Sequence, residues 1–242
     1  MSDVLVLDGV SKSFGGLEAI TDLSLTVPAG AIVAVIGANG AGKTTLFDLI
    51  TGLCRPDSGQ IRFMGRSLTG LRADQVCAAG IARTFHPVQP FAALSVADSV
   101  MVAALLRAPE PAEARRRTLD LLELLDLAGL ADRLSGGLGV SARQRLELAR
   151  ALATRPRLLL LDELLAELEP AEIRSLCPVL HAFNQRPGLT IILAEPRLST
   201  VLALATRVVM LDHGQVVADA APETLTGAAA EAAATRPESD PS

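Results

Sequence analysis

The sequence predicts an α/β fold built on a mostly parallel core sheet, and three observations carry that prediction. Residues 31–36 form an apolar run that leads through a glycine-rich loop into a helical pattern at 44–50, the order strand, loop, helix. Residues 157–161 are apolar after the first, as expected of a strand covered on both faces in a parallel sheet. Between and beyond them, strand and helix patterns follow one another to residue 218.

Taken in order, residues 4–13 and 17–27 read as two strands joined by a turn at Gly15-Gly16. Pro28-Ala29-Gly30 turns the chain into the strand at 31–36. After the helix at 44–50, Pro56-Asp57-Ser58-Gly59 is a turn, 60–64 a short strand and 81–85 another. Residues 95–106, 112–128 and 142–154 read as helices bounded by prolines, glycines and Ser141. The strand at 157–161 comes next, then a helix from Ala171, a strand at 190–193, a short helix after Pro196, and strands at 207–211 and 215–218. Residues 227–242 are rich in Ala, then in Pro, Glu, Asp and Ser, a composition that predicts a disordered tail.

Bulk properties narrow the class. A chain of 242 residues can bury a sizeable core. Half its residues are apolar, yet it has no Trp, no Tyr and six Phe, so the core must be built from Leu, Val, Ile and Ala. A net charge of −5 argues against a nucleic-acid partner, whose binding face is usually basic. No apolar run approaches the roughly 18 residues of a membrane helix, and the first residues do not read as a signal peptide. Cys54, Cys77 and Cys177 are scattered, show no metal spacing and read as small core fillers. Arg115-Arg116-Arg117 reads as a solvated helix face, His213 as a turn residue, and His181 as a helix residue without a motif.

Two constellations carry chemistry. Gly37-Ala38-Asn39-Gly40-Ala41-Gly42-Lys43-Thr44, followed by Thr45, fits the phosphate-binding pattern G-x-x-x-x-G-K-[ST]. The glycines let backbone N–H groups turn inward around a polyphosphate, and the next helix adds its positive dipole end. Lys43 is placed to reach the β- and γ-phosphates of a nucleoside triphosphate, and the Thr44 hydroxyl to ligand Mg²⁺. The second constellation is Leu158-Leu159-Leu160-Leu161-Asp162-Glu163, an apolar strand ending in two carboxylates. At the carboxyl edge of a parallel sheet Asp162 can hold Mg²⁺ through water, and Glu163 can orient or activate an attacking water.

These motifs and the helices between them resemble the nucleotide-binding subunit of ATP-binding-cassette (ABC) transporters over residues 1 to about 225. Ser11-Lys12-Ser13-Phe14-Gly15-Gly16 matches the family's adenine-stacking segment, with Phe14 as its aromatic. Gly80-Ile81-Ala82-Arg83-Thr84-Phe85 and the run from Arg145 to Leu152 resemble the LivG-type ATPase of branched-chain amino-acid importers. The resemblance implies a P-loop NTPase with a RecA-like core sheet, an antiparallel β subdomain and an inserted helical subdomain. It implies one ATP-binding domain at 1–226, with its core at 1–86 and 155–226 and the insert at about 87–154. It also implies ATP and Mg²⁺ as cofactors, a second ABC ATPase subunit and transmembrane permease subunits as partners, and a place on the cytoplasmic face of the membrane.

The chain departs from this family at several positions. The family's nucleotides lie between the phosphate loop of one subunit and the signature loop, LSGGQ or a variant, of the other. Leu134-Ser135-Gly136-Gly137-Leu138 looks like that signature, but the family's spacing from Arg145-Leu146-Glu147 points to Leu138-Gly139-Val140-Ser141-Ala142. A signature must head its helix, where N–H groups and dipole meet the partner's phosphate, so the earlier run is expected to be a decoy and Ser141 a helix cap. His86 replaces the glutamine that the family places near Mg²⁺ and the lytic water, and an imidazole still offers one hydrogen bond. Ala194-Glu195-Pro196-Arg197 stands where the family reads Glu-His-Asp, so the γ-phosphate histidine has become Pro196, which donates nothing, and Arg197 is a poor substitute. Leu164 follows Glu163 where proline is usual, and 166–169 replace a subunit-contact loop.

The expectation is that Phe14, residues 37–45 and Asp162 bind nucleotide while Glu163 and His86 support only weak cleavage. A transport ATPase and a nucleotide-binding partner that supports or regulates a heterodimer share this fold and ligand. A third class, soluble ABC proteins of DNA repair or translation, usually carries long inserts or two cassettes, which this chain does not match.

Overall fold

The computed structural model describes residues 3–185, 188–196 and 198–225, so the expected tail at 227–242 and the side chain of Arg197 lie outside the described residues. β1 (Asp3–Phe14) and β2 (Leu17–Pro28) form the predicted hairpin, and β3 (Ile32–Ile36) leads into α1 (Lys43–Thr51). β4 (Ser58–Phe63), the short β5 (Arg66–Ser67), α2 (Ala73–Ala79) and β6 (Ile81–Arg83) follow. α3 (Val96–Leu105), α4 (Pro111–Leu124) and α5 (Val140–Ala153) fill the stretch before β7 (Leu158–Asp162). α6 (Pro170–Asn184), β8 (Thr190–Glu195), α7 (Leu198–Val201), β9 (Arg207–Asp212) and β10 (Gln215–Ala220) complete the order.

One sheet is six-stranded in the order β10-β9-β3-β8-β7-β6, parallel except for β10 on β9. The other is antiparallel, in the order β2-β1-β4-β5. The period of two along each parallel strand divides the core. Leu158 and Leu160 of β7 face α1 and the antiparallel sheet, where Leu46, Phe47, Leu7 and Ile61 are buried. Leu159 and Leu161 face the opposite side, packed with Leu122, Leu146, Leu148 and Leu180 of the helices. The core is the Leu, Val, Ile and Ala interior that the composition predicts, with Phe47 its largest fully buried side chain. Among the described residues no helix is long and apolar enough to cross a membrane.

Several local outcomes differ from the sequence expectation, among them the end of β6 at Arg83 rather than 85. α2 and β5 were not expected; α2 buries only Val76, too little apolar pattern to show a period. It is set instead by Gln75 accepting the Arg72 N–H at 2.9 Å and by Gly80 closing it in the left-handed region. α4 stops at Leu124 rather than running to 128, because Asp126 turns left-handed at φ 57°. The Leu127 N–H then bonds Leu122 O and the Asp126 N–H bonds Glu123 O, a Schellman closure. α5 begins at Val140 rather than 142, so its N-cap is Gly139 and Ser141 lies inside the first turn, not at the cap.

Candidate functional site

The phosphate loop connects β3 to α1 at the carboxyl edge of the parallel sheet. Its path requires glycine where the backbone passes closest to its neighbours. A Cβ on Gly37 would lie 2.4 Å from Leu211 O, and one on Gly42, at φ 104°, would lie 2.7 Å from Ala19 O. Gly42 is also the N-cap of α1, and neither a side-chain cap nor an acidic residue covers that helix's first turn. The positive end of α1 is thus left open to an anion. Lys43 is only 4% exposed, and its Nζ donates to Gly37 O at 2.8 Å and Ala38 O at 3.1 Å. Burial pulls its ammonium below the ordinary lysine range, against the opposing pull of Glu163 and Asp162. Thr44 is exposed, and Thr45 is half-buried.

β7, on the far side of β8 from β3, delivers the two carboxylates. Glu163 Oε1 lies 3.7 Å from Lys43 Nζ, and its Oε2 lies 4.0 Å from His86 Nε2. The structure therefore brings three predicted residues, Lys43, Glu163 and His86, together beside the phosphate loop. Asp162 is buried beside them. Burial pushes its carboxyl up, while the Arg83 guanidinium bonded to Oδ2 at 2.6 Å holds it down. Phe14 ends β1 half in solvent, 50% exposed, with Lys12 Nζ 5.2 Å from its ring centroid.

Sequence reasoning missed three participants. Arg83 lies between the Phe47 and Phe85 rings and joins Asp162 to Asp48 of α1, which it contacts at 2.5 Å. A lone arginine at the end of the otherwise apolar β6 was the available signal. Glu147 of α5 accepts the Phe85 N–H at 3.3 Å and pairs with Arg150 at 2.7 Å, tying α5 to the loop that carries His86. Glu195, at the tip of β8, is fully buried next to the site.

The LSGG-like run lies in a short 3₁₀ turn, Ser135–Gly137, upstream of α5. Ser135 is 0% exposed; its hydroxyl lies 3.0 Å from that of Ser99, and its N–H bonds Leu94 O at 2.9 Å. The exposed N-terminus of α5 is formed by Gly139 and Val140.

For a magnesium ion, the chain offers the Thr44 hydroxyl and the Asp162 carboxylate, an oxygen donor set that suits a hard cation. Such an ion takes few protein ligands and completes its shell with phosphate oxygens and water. A phosphate held at the uncapped helix end at Gly42 would put its oxygens beside that threonine.

Residues 20–166 match the sequence profile described as ABC transporter, more than half of the chain. The chain is 32% identical over 237 residues to the high-affinity branched-chain amino acid transport ATP-binding protein BraF of Pseudomonas aeruginosa and, likewise, to LivG of Escherichia coli K12. These alignments cover 92% of this chain and 93% of each relative. The methionine import ATP-binding protein MetN of Rhizobium etli is 37% identical over 89% of this chain and 60% of its own length. Among solved structures, a nucleotide-free ATP-binding cassette from an ABC transporter superposes with a TM-score of 0.82 at 26% identity, covering 91% of this chain and 92% of that one. A cassette in its ADP conformation gives a TM-score of 0.81 at 26% identity, over 92% and 93% of the two chains. With the phosphate loop, the paired carboxylates and the two-sheet architecture in place, the chain belongs to the ABC transporter family.

Proposed function

We propose that this chain is an ATP-binding subunit that energises a membrane transporter, an importer of the branched-chain amino-acid kind, and that it binds Mg-ATP well and cleaves it slowly. The likeness to BraF and LivG over nearly the whole chain supports the transport class. One observation carries the nucleotide site: Lys43, buried in its own loop, lies within ion-pair distance of Glu163 at the open end of α1.

The roles follow from this geometry. Residues 37–45 hold the polyphosphate through inward N–H groups, Lys43 exchanging its loop carbonyls for phosphate oxygens. Phe14 stacks on the base. Thr44 and Asp162 hold Mg²⁺, which when bound neutralises phosphate charge. Glu163 orients the attacking water, and His86 across from it offers one further hydrogen bond. Two family parts are altered. Pro196 brings no donor to the γ-phosphate, and one preorganised donor is typically worth about 10²–10³ in rate. Ser135, turned inward to Ser99, is not available to a partner's phosphate, so the exposed start of α5 must serve there.

The same two observations favour a second reading, in which the chain is a nucleotide-binding partner that supports or regulates a heterodimer while another subunit does most of the cleavage. Either way it sits peripherally on the cytoplasmic face with a second ATPase subunit and transmembrane permeases. Steady-state ATPase assays on the purified chain test the slow-cleavage claim. Pro196→His is expected to raise kcat about tenfold or more with little change in KM. Wild-type turnover at the pace of ordinary relatives, abolished by Glu163→Gln and unimproved by Pro196→His, contradicts it.

A further inference from the structure

Glu195 has no part in the roles above, yet its placement is unusual. It ends β8, the strand between β3, which carries the phosphate loop, and β7, which carries the two carboxylates. In register, Glu195 lies beside Ile36, the last residue before Gly37, and Ala194 lies beside Asp162. The Glu195 side chain is 0% exposed; Oε1 accepts the Leu165 N–H at 2.9 Å and Oε2 has no partner.

The same strand tip also holds the start of the turn that follows β7. The Glu163 N–H donates to Ala194 O at 2.9 Å. Glu163 itself has φ 46°, a left-handed conformation uncommon for such a residue, which persists only where its surroundings enforce it. Adjacent residues of β8 thus grip the turn at its entry, 163, and again two residues on, at 165. Family sequence motifs single out Pro196's position; the grip belongs to its neighbour.

We infer that Glu195 is a positioning residue, whose buried carboxyl clamps the turn after β7 through Leu165 and so aims Glu163 at the phosphate end of the site. Being buried, it does not touch nucleotide; it acts through Glu163. The inference rests on the nucleotide site proposed above. Burial pushes the Glu195 carboxyl up to about 8, with Glu163 and Asp162 adding and Lys43 and the Leu165 N–H opposing. Burial thus favours its protonated form, and glutamine reproduces that form's acceptor and donor.

The test measures single-turnover ATP cleavage by the full chain in excess, beside Mg-ATP titration, for wild type, Glu195→Gln, Glu195→Ala and the bulkier Glu195→Met. The series is repeated in the faster Pro196→His background. All folded variants are expected to bind Mg-ATP within about threefold of wild type. Glu195→Gln should keep the cleavage rate, while Ala or Met should lose about tenfold or more, as small misplacements of a reacting group do. The inference is overturned if Ala and Met cleave like wild type, if Gln falls with them, if the loss lies in affinity, or if neither background cleaves measurably. Failure of the wild type to take up Mg-ATP would strike the nucleotide-site reading itself.

Discussion

A carboxyl held neutral by burial leaves a signature in stability, and Glu195 is such a group. Its folded value of about 8 stands above the ordinary 4.5, so between those values the folded chain keeps a proton that the unfolded chain releases. The contribution is fully present below the unfolded value and is lost as pH rises through about 8. The urea midpoint of the wild type should therefore fall between pH 5 and pH 8, and Glu195→Gln should flatten that fall. Equal slopes for the two proteins would show that the carboxyl is not held neutral. Arg83 illustrates the opposite arrangement. Its guanidinium, buried between two phenyl rings, stays paired with both Asp48 and Asp162. Removing one partner of such a buried pair leaves a charge stranded, so Asp162 depends on Arg83 of β6 for its buried partner.

At the scale of elements, the decisive question is which end of which helix faces outward. The turn at Ser135–Gly137 packs its serine against α3, and α5 starts only at Val140. Ser135→Ala should cost about 1 kcal/mol in unfolding free energy, since Ser99 keeps its bond to Ser95 O. It should leave ATP cleavage by an assembled dimer unchanged; a large loss of cleavage with little loss of stability would make that serine the working signature after all. Much of this element layout could be read from residue order. The phosphate loop, the hairpin and the strands at β7 and β9 carry local patterns of spacing, apolar runs and turn glycines. The missing elements had none: α2 buries one apolar residue and β5 is two residues long. Helix ends were misplaced where backbone bonds and a left-handed Asp126, rather than composition, stop the chain. The meeting of Lys43, Glu163 and His86 was foreseeable only through the family likeness, because it depends on strand order. The grip of Glu195 on Leu165 and the bridge by Arg83 depend on side-chain rotamers across distant strands, which no spacing in the sequence encodes.

At the scale of the whole molecule, two sheets and a helical layer bring one uncapped helix end to one pair of carboxylates. The antiparallel sheet places Phe14 at the end of its hairpin and presses Ala19 against Gly42. The helical layer ties α5 to the His86 loop through Glu147. Transport ATPase and nucleotide-binding partner share all of this, and they separate in how fast the chain turns over ATP. What both require is that the cradle fills. Isothermal titration of Mg-ATP into the folded wild-type chain and into Lys43→Ala measures that directly. The account predicts saturable uptake at one site by the wild type, weakened about a hundredfold or more when the lysine is removed. Absence of binding by the folded wild type, or equal binding by both proteins, would contradict it.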